Sequence, residues 1–477
     1  MKKSKWIVFS VALLLVSGVQ EAQQKGQVLN QQARQSPKIH EFNWQQSLLL
    51  PWGDPRIYPI GGTEIRALAA FEGKLFAANG YWMDTERENP TLPGAQVLRL
   101  DGPGSAWQVD LELTDRTPRG LRLYQAISTL QRVRFTTDGA GRPLSEPIDL
   151  LLAGVWKRGP GLDVFAHAVG HGWSKIPIVG QENAPRGTQV RAFSLHKDRI
   201  TGVDLVFAGA TNASIFTGTY GSTRRNITWN PQAELRGDFN RNLSGAKGRV
   251  SSFAECNGKL YAGAYDTIYE RVDGPSPVWR QVFITTIHAQ NSNSVTGLRG
   301  LTCIRAPSGS NVLLASVEDN PARIYRIDPN QLHSGGGNNA TQELDVSSYL
   351  SEALGTKATY AIVAYNDMTP YPGSSEFCPN LLMGFEVNTP QAPQTFFRHD
   401  VAAHYLVRDC NGGYAVREIR DFQTAPKPRL VSVRTLAMSP FLSDPPGTIY
   451  AGGFDANAEP VHNTAWLYKG IPVPASQ

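Results

Sequence analysis

Val206-Phe-Ala-Gly209 decides the fold, because its pattern of two apolar residues followed by two small ones occurs seven times along the chain. The copies begin 53 to 76 residues apart, a distance that accommodates four short strands and their loops. The seven copies lie at residues 75–78, 151–154, 206–209, 260–263, 313–316, 381–384 and 449–452.

Each copy occupies the same place in a longer unit of four predicted strands. An alternating strand precedes it, such as VRAF at 190–193, and a third strand follows, such as PARIYRIDP at 321–329. A fourth strand often begins with tryptophan, as in Trp279-Arg-Gln-Val. Repeated four-stranded units are typical of a β-propeller, so the sequence predicts an all-β fold with seven blades.

The ends of the chain predict how the ring closes. The seventh unit supplies three strands and reaches Leu467-Tyr-Lys-Gly470 just before the chain ends. The tryptophan-containing strand that this unit lacks is found at the other end, as Phe42-Asn-Trp44. An N-terminal strand that completes the last blade would cover its open edge. We therefore predict one seven-bladed propeller over residues 41–477.

In this organisation the chain resembles secreted seven-bladed propellers in general, over essentially its whole mature length. It matches no named blade type: the GH…WD signature, the sialidase Asp-box and a recurring kelch Gly-Gly doublet are absent. The resemblance therefore implies an architecture and leaves the activity open.

The N-terminus predicts export. Residues 1–18, MKKSKWIVFSVALLLVSG, combine three lysines with a short apolar run and small residues, which is typical of a secretory signal peptide. Cleavage is expected after Gly18 or as late as Ala22. Gln-rich residues 19–40 are expected to be a disordered lead-in. We expect a secreted protein, extracellular or periplasmic, that has no membrane span and is a monomer.

The cysteines and the charge limit the cofactors and partners. Export permits disulfides, and we prefer nearest-neighbour pairing, Cys256–Cys303 and Cys378–Cys410, among the three possible connectivities. No CxxC, P-loop or GxGxxG motif is present, so we expect no metal and no cofactor. The net charge of +5 comes without a dense Lys/Arg run, which argues against a nucleic-acid partner.

The alternating strand that precedes each signature is expected to be the inner strand of its blade, next to the central axis of the propeller. These inner strands predict a candidate binding site at the axis. Four of the seven residues at the second position of these strands are arginines. The seven residues are Arg66, Gln125, Arg191, Ser251, Arg299, Tyr360 and Arg434. Clustered guanidinium groups repel one another unless anions balance them, and they suit carboxylate, sulfate or phosphate ligands. An arginine-lined funnel for an acidic polysaccharide, uronic or sulfated, or another anionic ligand is therefore predicted.

Two structural alternatives stay open for these side chains. Each arginine can instead pair with an acid that follows a signature strand and brace the blades. The available acids are Asp266, Glu318, Asp319, Glu386 and Asp455. Aromatic side chains on the same loops suit stacking against sugar rings, but they can equally serve loop packing. These aromatics are Tyr81, Trp82, Trp156, Tyr265 and Phe454.

Catalysis at the same face is the main functional alternative. A polysaccharide lyase needs a base and a cation that neutralises the uronate carboxylate. The candidate bases are Tyr360, His167, His171 and His196. A glycoside hydrolase needs two facing carboxylates, for which Asp266, Glu318 and Asp455 are the candidates. A protein-interaction scaffold is the third hypothesis, and large side chains that plug the funnel would favour it.

Overall fold

The structure is a computed structural model that shows an all-β chain folded as a β-propeller. The described residues are 41–49, 60–81, 92–180, 188–211, 213–221, 226–236, 248–284, 297–306, 308–318, 321–331, 339–365, 367–375, 378–390, 401–420, 430–454 and 464–473. The predicted signal peptide and lead-in, residues 1–40, lie outside these ranges.

The strands follow one another in groups along the chain. The first strand is β1 (Phe42–Leu49). The next group contains β2 (Glu64–Phe71), β3 (Lys74–Gly80), β4 (Ala95–Leu100) and β5 (Gln108–Leu113). Then come β6 (Tyr124–Thr137), β7 (Pro143–Lys157), β8 (Leu162–Ala168) and β9 (Gly172–Val179). They are followed by β10 (Val190–Lys197), β11 (Asp204–Ala210), β12 (Ile215–Gly221) and β13 (Asn226–Trp229).

The second half of the chain continues in the same manner. It begins with β14 (Val250–Cys256), β15 (Lys259–Ala264), β16 (Thr267–Val272) and β17 (Val278–Ile284). The following group is β18 (Gly297–Arg305), β19 (Asn311–Glu318), β20 (Arg323–Ile327) and β21 (Ala340–Asp345), with helix α1 (Val346–Leu354) after it. Next are β22 (Tyr360–Val363), β23 (Thr369–Ser375), β24 (Cys378–Asn388), β25 (His404–Arg408) and β26 (Tyr414–Glu418). The last strands are β27 (Ser432–Met438), β28 (Ile449–Phe454) and β29 (Ala465–Pro472).

Hydrogen bonding arranges these strands in six antiparallel sheets. Three sheets contain four consecutive strands each, namely β10 to β13, β14 to β17 and β18 to β21. A fourth has the order β1-β29-β28-β27. The eight strands β2 to β9 form one sheet because a single pairing, Gly80 with Ala126, joins β3 to β6. In the remaining sheet, β22 and β23 both pair with β24.

The predicted closure by an N-terminal strand is confirmed. Strand β1 pairs antiparallel with β29, from Phe42 opposite Pro472 to Leu49 opposite Trp466. The buried side chain of Trp44 lies over Gly470, where an added Cβ would be 2.8 Å from the indole. The first and the last strand of the described ranges therefore belong to one continuous sheet.

The small residues of the repeated signature allow neighbouring blades to approach. A Cβ on Gly209 would lie 2.6 Å from the Cγ1 atom of Val250, on the next inner strand. A Cβ on Gly452 would lie 2.6 Å from the Cγ2 atom of Ile65, which brings the last signature strand against the first inner strand. No real Cβ tolerates these distances without a shift of its neighbours. At these junctions the close contact between blades requires the small residue of the signature.

Within the described ranges, the buried apolar residues form seven clusters, each between two consecutive groups of strands. One of them combines Ile65 and Leu75 with Tyr450 and Leu467, and so joins the first inner strand to the last blade. The hydrophobic core is thus a ring of interfaces between blades. This ring holds the inner strands around one axis.

The disulfides also connect neighbouring elements. Cys256 at the end of β14 is bonded to Cys303 in β18, and Cys378 in β24 is bonded to Cys410 after β25. Both predicted pairings are confirmed. The helix α1 has nine residues, and none of the helices in the described ranges is long and apolar enough to cross a bilayer.

We predict that Gly452→Ala weakens the contact between the last and the first blade. The new methyl group would collide with the buried Ile65 side chain, and overpacking of this kind costs about 1–3 kcal/mol of unfolding free energy. Urea denaturation followed by tryptophan fluorescence measures the loss. Gly104→Ala is the matched control, because a Cβ there meets nothing within 4 Å. Equal stability of the two variants would contradict the packing account of the signature.

Candidate functional site

The inner strands share a β-bulge at which one side chain is left out of the ladder. In β2 the register shifts between Ile65 and Ala67, so that Arg66 has no partner residue across the strand pair. Bulges re-aim side chains and are frequent next to functional sites. The residues at the corresponding shifts in the other continuous inner strands are Ser128, Arg191, Ser251, Arg299 and Arg434.

The structure corrects the predicted inner-strand position in β6. This strand has two shifts, at Gln125 and at Ser128. Thr129 faces Gly154, the small residue of the signature, so Ser128 and not Gln125 corresponds to the arginine positions of the other strands. A second bulge cannot be recognised from an alternating pattern, which is why the predicted position was three residues too early.

The predicted position in the sixth unit, Tyr360, is also wrong. Here two short strands, β22 and β23, share the inner place, and residues 364–368 interrupt them. Val363 and Thr369 face Phe385 and Leu382, so five intervening residues on one strand correspond to two on the other. The side chain at the bulge is therefore that of Tyr365, whereas Tyr360 begins β22.

Backbone geometry directs Tyr365 to the axis. The preceding residue, Ala364, has a left-handed conformation with φ of 54°, which is uncommon for a residue with a side chain. Its N–H donates to the carbonyl of Gly384 over 2.8 Å. Gly300 on β18 provides the space, because a Cβ there would be 2.7 Å from the Cβ of Ala364. The turn is thus held from two neighbouring elements.

Four arginines meet around the Tyr365 side chain. Its hydroxyl oxygen accepts hydrogen bonds from Nη2 of Arg66 at 2.9 Å and from Nη2 of Arg191 at 3.2 Å. The guanidinium groups of Arg299 and Arg434 lie 4.8 and 4.0 Å from the ring centroid. All four arginines are at most 4% exposed. The expected open funnel is therefore corrected: these arginines surround a tyrosine.

Two glutamates neutralise one side of this group. Glu64 lies between Nε of Arg66 at 3.1 Å and Nε of Arg434 at 2.7 Å. Glu386 lies 3.1 Å from Nη1 of Arg434 and accepts a hydrogen bond from the Ser432 hydroxyl. These carboxylates raise the pKa of Arg434 above its usual range, although burial opposes the rise. Glu64 lies two residues before Arg66 on the same strand, and no repeated pattern in the sequence marks it as a partner of the arginines.

A third glutamate, Glu318, lies at the end of β19. It forms an ion pair with Arg299 and accepts a hydrogen bond from the hydroxyl of Tyr360. Burial raises the pKa of this carboxyl, and the nearby Arg299 and Arg249 oppose the rise. Tyr360 therefore supports a structural ion pair in this arrangement. Glu318 and Glu386 both belong to the acids that were proposed as partners of the arginines.

Arg191 and Arg249 differ from the other three arginines. No carboxylate of the described ranges forms an ion pair with either of them. Arg191 donates to the amide oxygen of Gln189 at 3.0 Å, and this amide donates to the hydroxyl of Ser128. Burial, together with Arg299 and Arg66, lowers the pKa of Arg191 to about 10. Burial and the charges of Arg191 and Arg299 also hold the pKa of Arg249 well below its usual range.

We call this group the axial cluster. It contains five arginines, three glutamates and one tyrosine. Its members are Arg66, Arg191, Arg249, Arg299, Arg434, Glu64, Glu318, Glu386 and Tyr365. Buried positive charge in excess of its partners is costly. Since guanidinium groups keep their proton in proteins, the surplus attracts an anion.

The cluster also acts on its tyrosine. Burial alone would raise the pKa of Tyr365, but the charges of Arg66, Arg191 and Arg434 outweigh burial and lower it to about 6. Buried Tyr124 shows the opposite behaviour, because it donates to Asp163 at 2.7 Å and its pKa is raised. Tyr365 was missed by the sequence analysis, and only the interruption of the inner strand reveals it.

The predicted histidine bases are not assembled at one place. His167 packs among the rings of Phe71, Phe76 and Trp173, and burial lowers its pKa. His171 is exposed in the turn between β8 and β9. His196 lies near the far end of β10, about 16 Å along the strand from its arginine. Its ring nitrogens contact Glu255 at 2.6 Å and Asp273 at 3.1 Å.

The remaining predicted ligand-binding residues lie at several places. The ring of buried Tyr81 lies under the guanidinium of Arg122, 4.5 Å away. Trp156 is half-buried in β7, and Tyr265 has a left-handed φ of 56°. Asp266 accepts a hydrogen bond from the Thr267 hydroxyl. Trp82, Asp319 and Asp455 lie outside the described residues.

The fold defines the chain as a β-propeller, and comparisons with known proteins add no family. No protein-family model matches the chain, and no curated protein matches its sequence. Among solved structures, it is similar to a mutant of NanB sialidase from Streptococcus pneumoniae. The identity is 10% and the TM-score 0.40, over 90% of this chain and 70% of that chain.

A second similar structure is the extracellular domain of a putative hybrid two-component system from B. thetaiotaomicron. The identity is 10% and the TM-score 0.44, over 90% of this chain and 39% of that chain. This chain therefore spans well under half the length of that one. Likeness at these values carries no argument about activity.

We predict that Tyr365 ionises near pH 6, and that a spectrophotometric titration detects phenolate absorbance there. The pKa of Tyr365 is lower in the folded protein than its value of 10.0 in the unfolded chain, so ionisation of Tyr365 stabilises the fold. This contribution rises with pH between about 6 and 10.0, and it is lost as the pH falls to about 6. Tyr365→Phe should abolish this absorbance step. A wild-type titration with no phenolate until the ordinary range near 10 would contradict the prediction.

Proposed function

We propose that this protein is a secreted propeller that binds an acidic glycan, uronic or sulfated, or another anionic extracellular ligand at its axial cluster. The observation that carries the proposal is the position of buried Arg191 and partly exposed Arg249, neither of which forms an ion pair with a carboxylate of the described residues, although Glu318 acts on Arg249 at longer range. Guanidinium groups bind carboxylate and sulfate through paired, charge-assisted hydrogen bonds.

The charges of the cluster support a single anionic group as the ligand. Five arginines face three glutamates, and an ionised Tyr365 supplies a fourth negative charge. One positive charge then has no counterpart within the cluster. A ligand carboxylate or sulfate that bridges Arg191 and Arg249 would balance it, whereas a neutral sugar would not.

The exposure of Arg249 supports a route to the cluster. The other four arginines are buried, but Arg249 is partly exposed. Desolvation nevertheless lowers its pKa, so protein surrounds it closely. We propose that the ligand reaches the cluster past Arg249, and that the half-buried Trp156 and Tyr265 contribute contacts to sugar rings.

Blade number and location belong to the same proposal. We propose seven blades, with the eight-stranded sheet counted as two and the five-stranded sheet as one. The seven apolar clusters, one between each pair of consecutive strand groups, support this count. Two disulfides support an extracellular location, where thiols oxidise readily.

A protein-interaction scaffold is the second candidate, because the large side chain of Tyr365 lies where the funnel was expected to be open. The two functions predict different pairing of the charges at the axis. A plug that serves only to hold the blades is most stable when its ion pairs are complete. Arg191 and Arg249 form no ion pair with a carboxylate of the described residues, which favours the anion-binding function.

We predict that Arg191→Gln with Arg249→Gln weakens binding of trigalacturonate by roughly 10- to 100-fold, the range expected for lost charged hydrogen bonds. Isothermal titration calorimetry at several salt concentrations measures this change. Arg132→Gln with Arg134→Gln is the matched control, because it removes the same charge from exposed positions on β6. A heparin oligosaccharide tests the sulfated alternative. Binding that is absent for both ligands, or equal in both double variants, would contradict the proposal.

A further inference from the structure

The hydroxyl of Tyr365 is held as a hydrogen-bond acceptor. It accepts from Arg66 and Arg191, and no described carboxylate or carbonyl accepts a hydrogen bond from it. Two other buried tyrosines have the reverse arrangement: Tyr124 donates to Asp163, and Tyr414 donates to Glu343 at 2.7 Å. The surroundings of Tyr365 thus stabilise a phenolate, an oxygen atom that can accept a proton, inside a group of cations.

This oxygen lies beside the proposed carboxylate site. Arg191 contacts the Tyr365 oxygen at 3.2 Å, and Arg191 belongs to the pair that lacks a described carboxylate partner. A carboxylate bound to Arg191 would place the carbon next to it within reach of the phenolate. A proton on that carbon becomes removable when cations neutralise the carboxylate, because negative charge moves onto the carboxylate oxygens as the proton leaves.

We propose that Tyr365 is the catalytic base of a β-elimination that cleaves the uronic glycan bound at the axial cluster; this inference rests on the proposed function. The Tyr365 phenolate removes the proton from C5, the carbon that bears the carboxylate. The electron pair forms a double bond between C4 and C5, and the bond from C4 to the glycosidic oxygen breaks. The departing oxygen takes a proton from the Tyr365 hydroxyl, which regenerates the phenolate. No water is consumed.

The three glutamates of the cluster argue against hydrolysis at this site. A glycoside hydrolase needs one carboxylic acid and one free carboxylate on opposite sides of the bond. Each of the three is already paired: Glu64 with Arg66 and Arg434, Glu318 with Arg299, and Glu386 with Arg434. The phenolate and the arginine pair suit removal of a proton next to a carboxylate.

Two measurements on the full chain test the inference. Incubation with polygalacturonate and with alginate is followed by the ultraviolet absorbance of the unsaturated uronate, and binding of trigalacturonate and trimannuronate is measured separately by calorimetry. Wild type should form the product with at least one polymer, at a rate that rises with pH and levels off above about 6. Tyr365→Phe removes the phenolate and its negative charge from beside Arg66 and Arg191, so it should bind the uronate at least as tightly as wild type while its rate falls by roughly 100-fold or more.

Tyr349→Phe is the matched control, because its hydroxyl donates to the Tyr414 carbonyl at 2.7 Å, away from the cluster. It should leave the rate unchanged. Wild type that binds uronate without forming unsaturated product would overturn the catalytic role and leave the binding function standing. An undiminished rate in Tyr365→Phe would also overturn it. Failure of wild type to bind either uronate would instead count against the uronic ligand itself.

Discussion

The close approach of inner strands to the preceding blade is the constraint from which the rest of this structure follows. Gly209 faces Val250 and Gly452 faces Ile65 at distances that exclude a side chain. Strands held this closely form a ring, and the ring brings the ends of the inner strands to one axis. Side chains that a bulge turns away from the blade must then meet there. The arginines lie close together because the blades that carry them pack closely around the axis.

The charges of the axial cluster determine which of its arginines can bind a ligand. Three glutamates pair with Arg66, Arg299 and Arg434 and make that part of the axis a set of ion pairs. On the other part, Arg191 and Arg249 form no ion pair with a described carboxylate, and burial together with neighbouring guanidinium charges lowers their pKa values. The charges of Arg66, Arg191 and Arg434 lower the pKa of Tyr365 against the effect of burial. The excess of arginines is therefore the basis of both the proposed anion binding and the proposed phenolate base. Binding and chemistry would share one cause.

The sequence predicted the features that repeat and missed those that break the repeat. The signature strands, the closure through Trp44 and the disulfides each follow from a regular pattern, and the structure shows them. Ser128 and Tyr365 depend on irregularities of the backbone, a second bulge in β6 and an interruption after β22. Such irregularities leave no mark in hydrophobic alternation. The pattern of the inner strands did not predict Arg249, because this residue precedes β14 instead of lying within it.

The central claim is that the positive charge of Arg191 and Arg249 is balanced by an anionic ligand and not by a carboxylate of the protein. A crystal structure of the full chain with trigalacturonate bound tests this most directly. The account predicts a ligand carboxylate that bridges the two guanidinium groups, with the Tyr365 oxygen close to the neighbouring carbon. A carboxylate of the chain itself in that position, with the sugar bound elsewhere or absent, would contradict it.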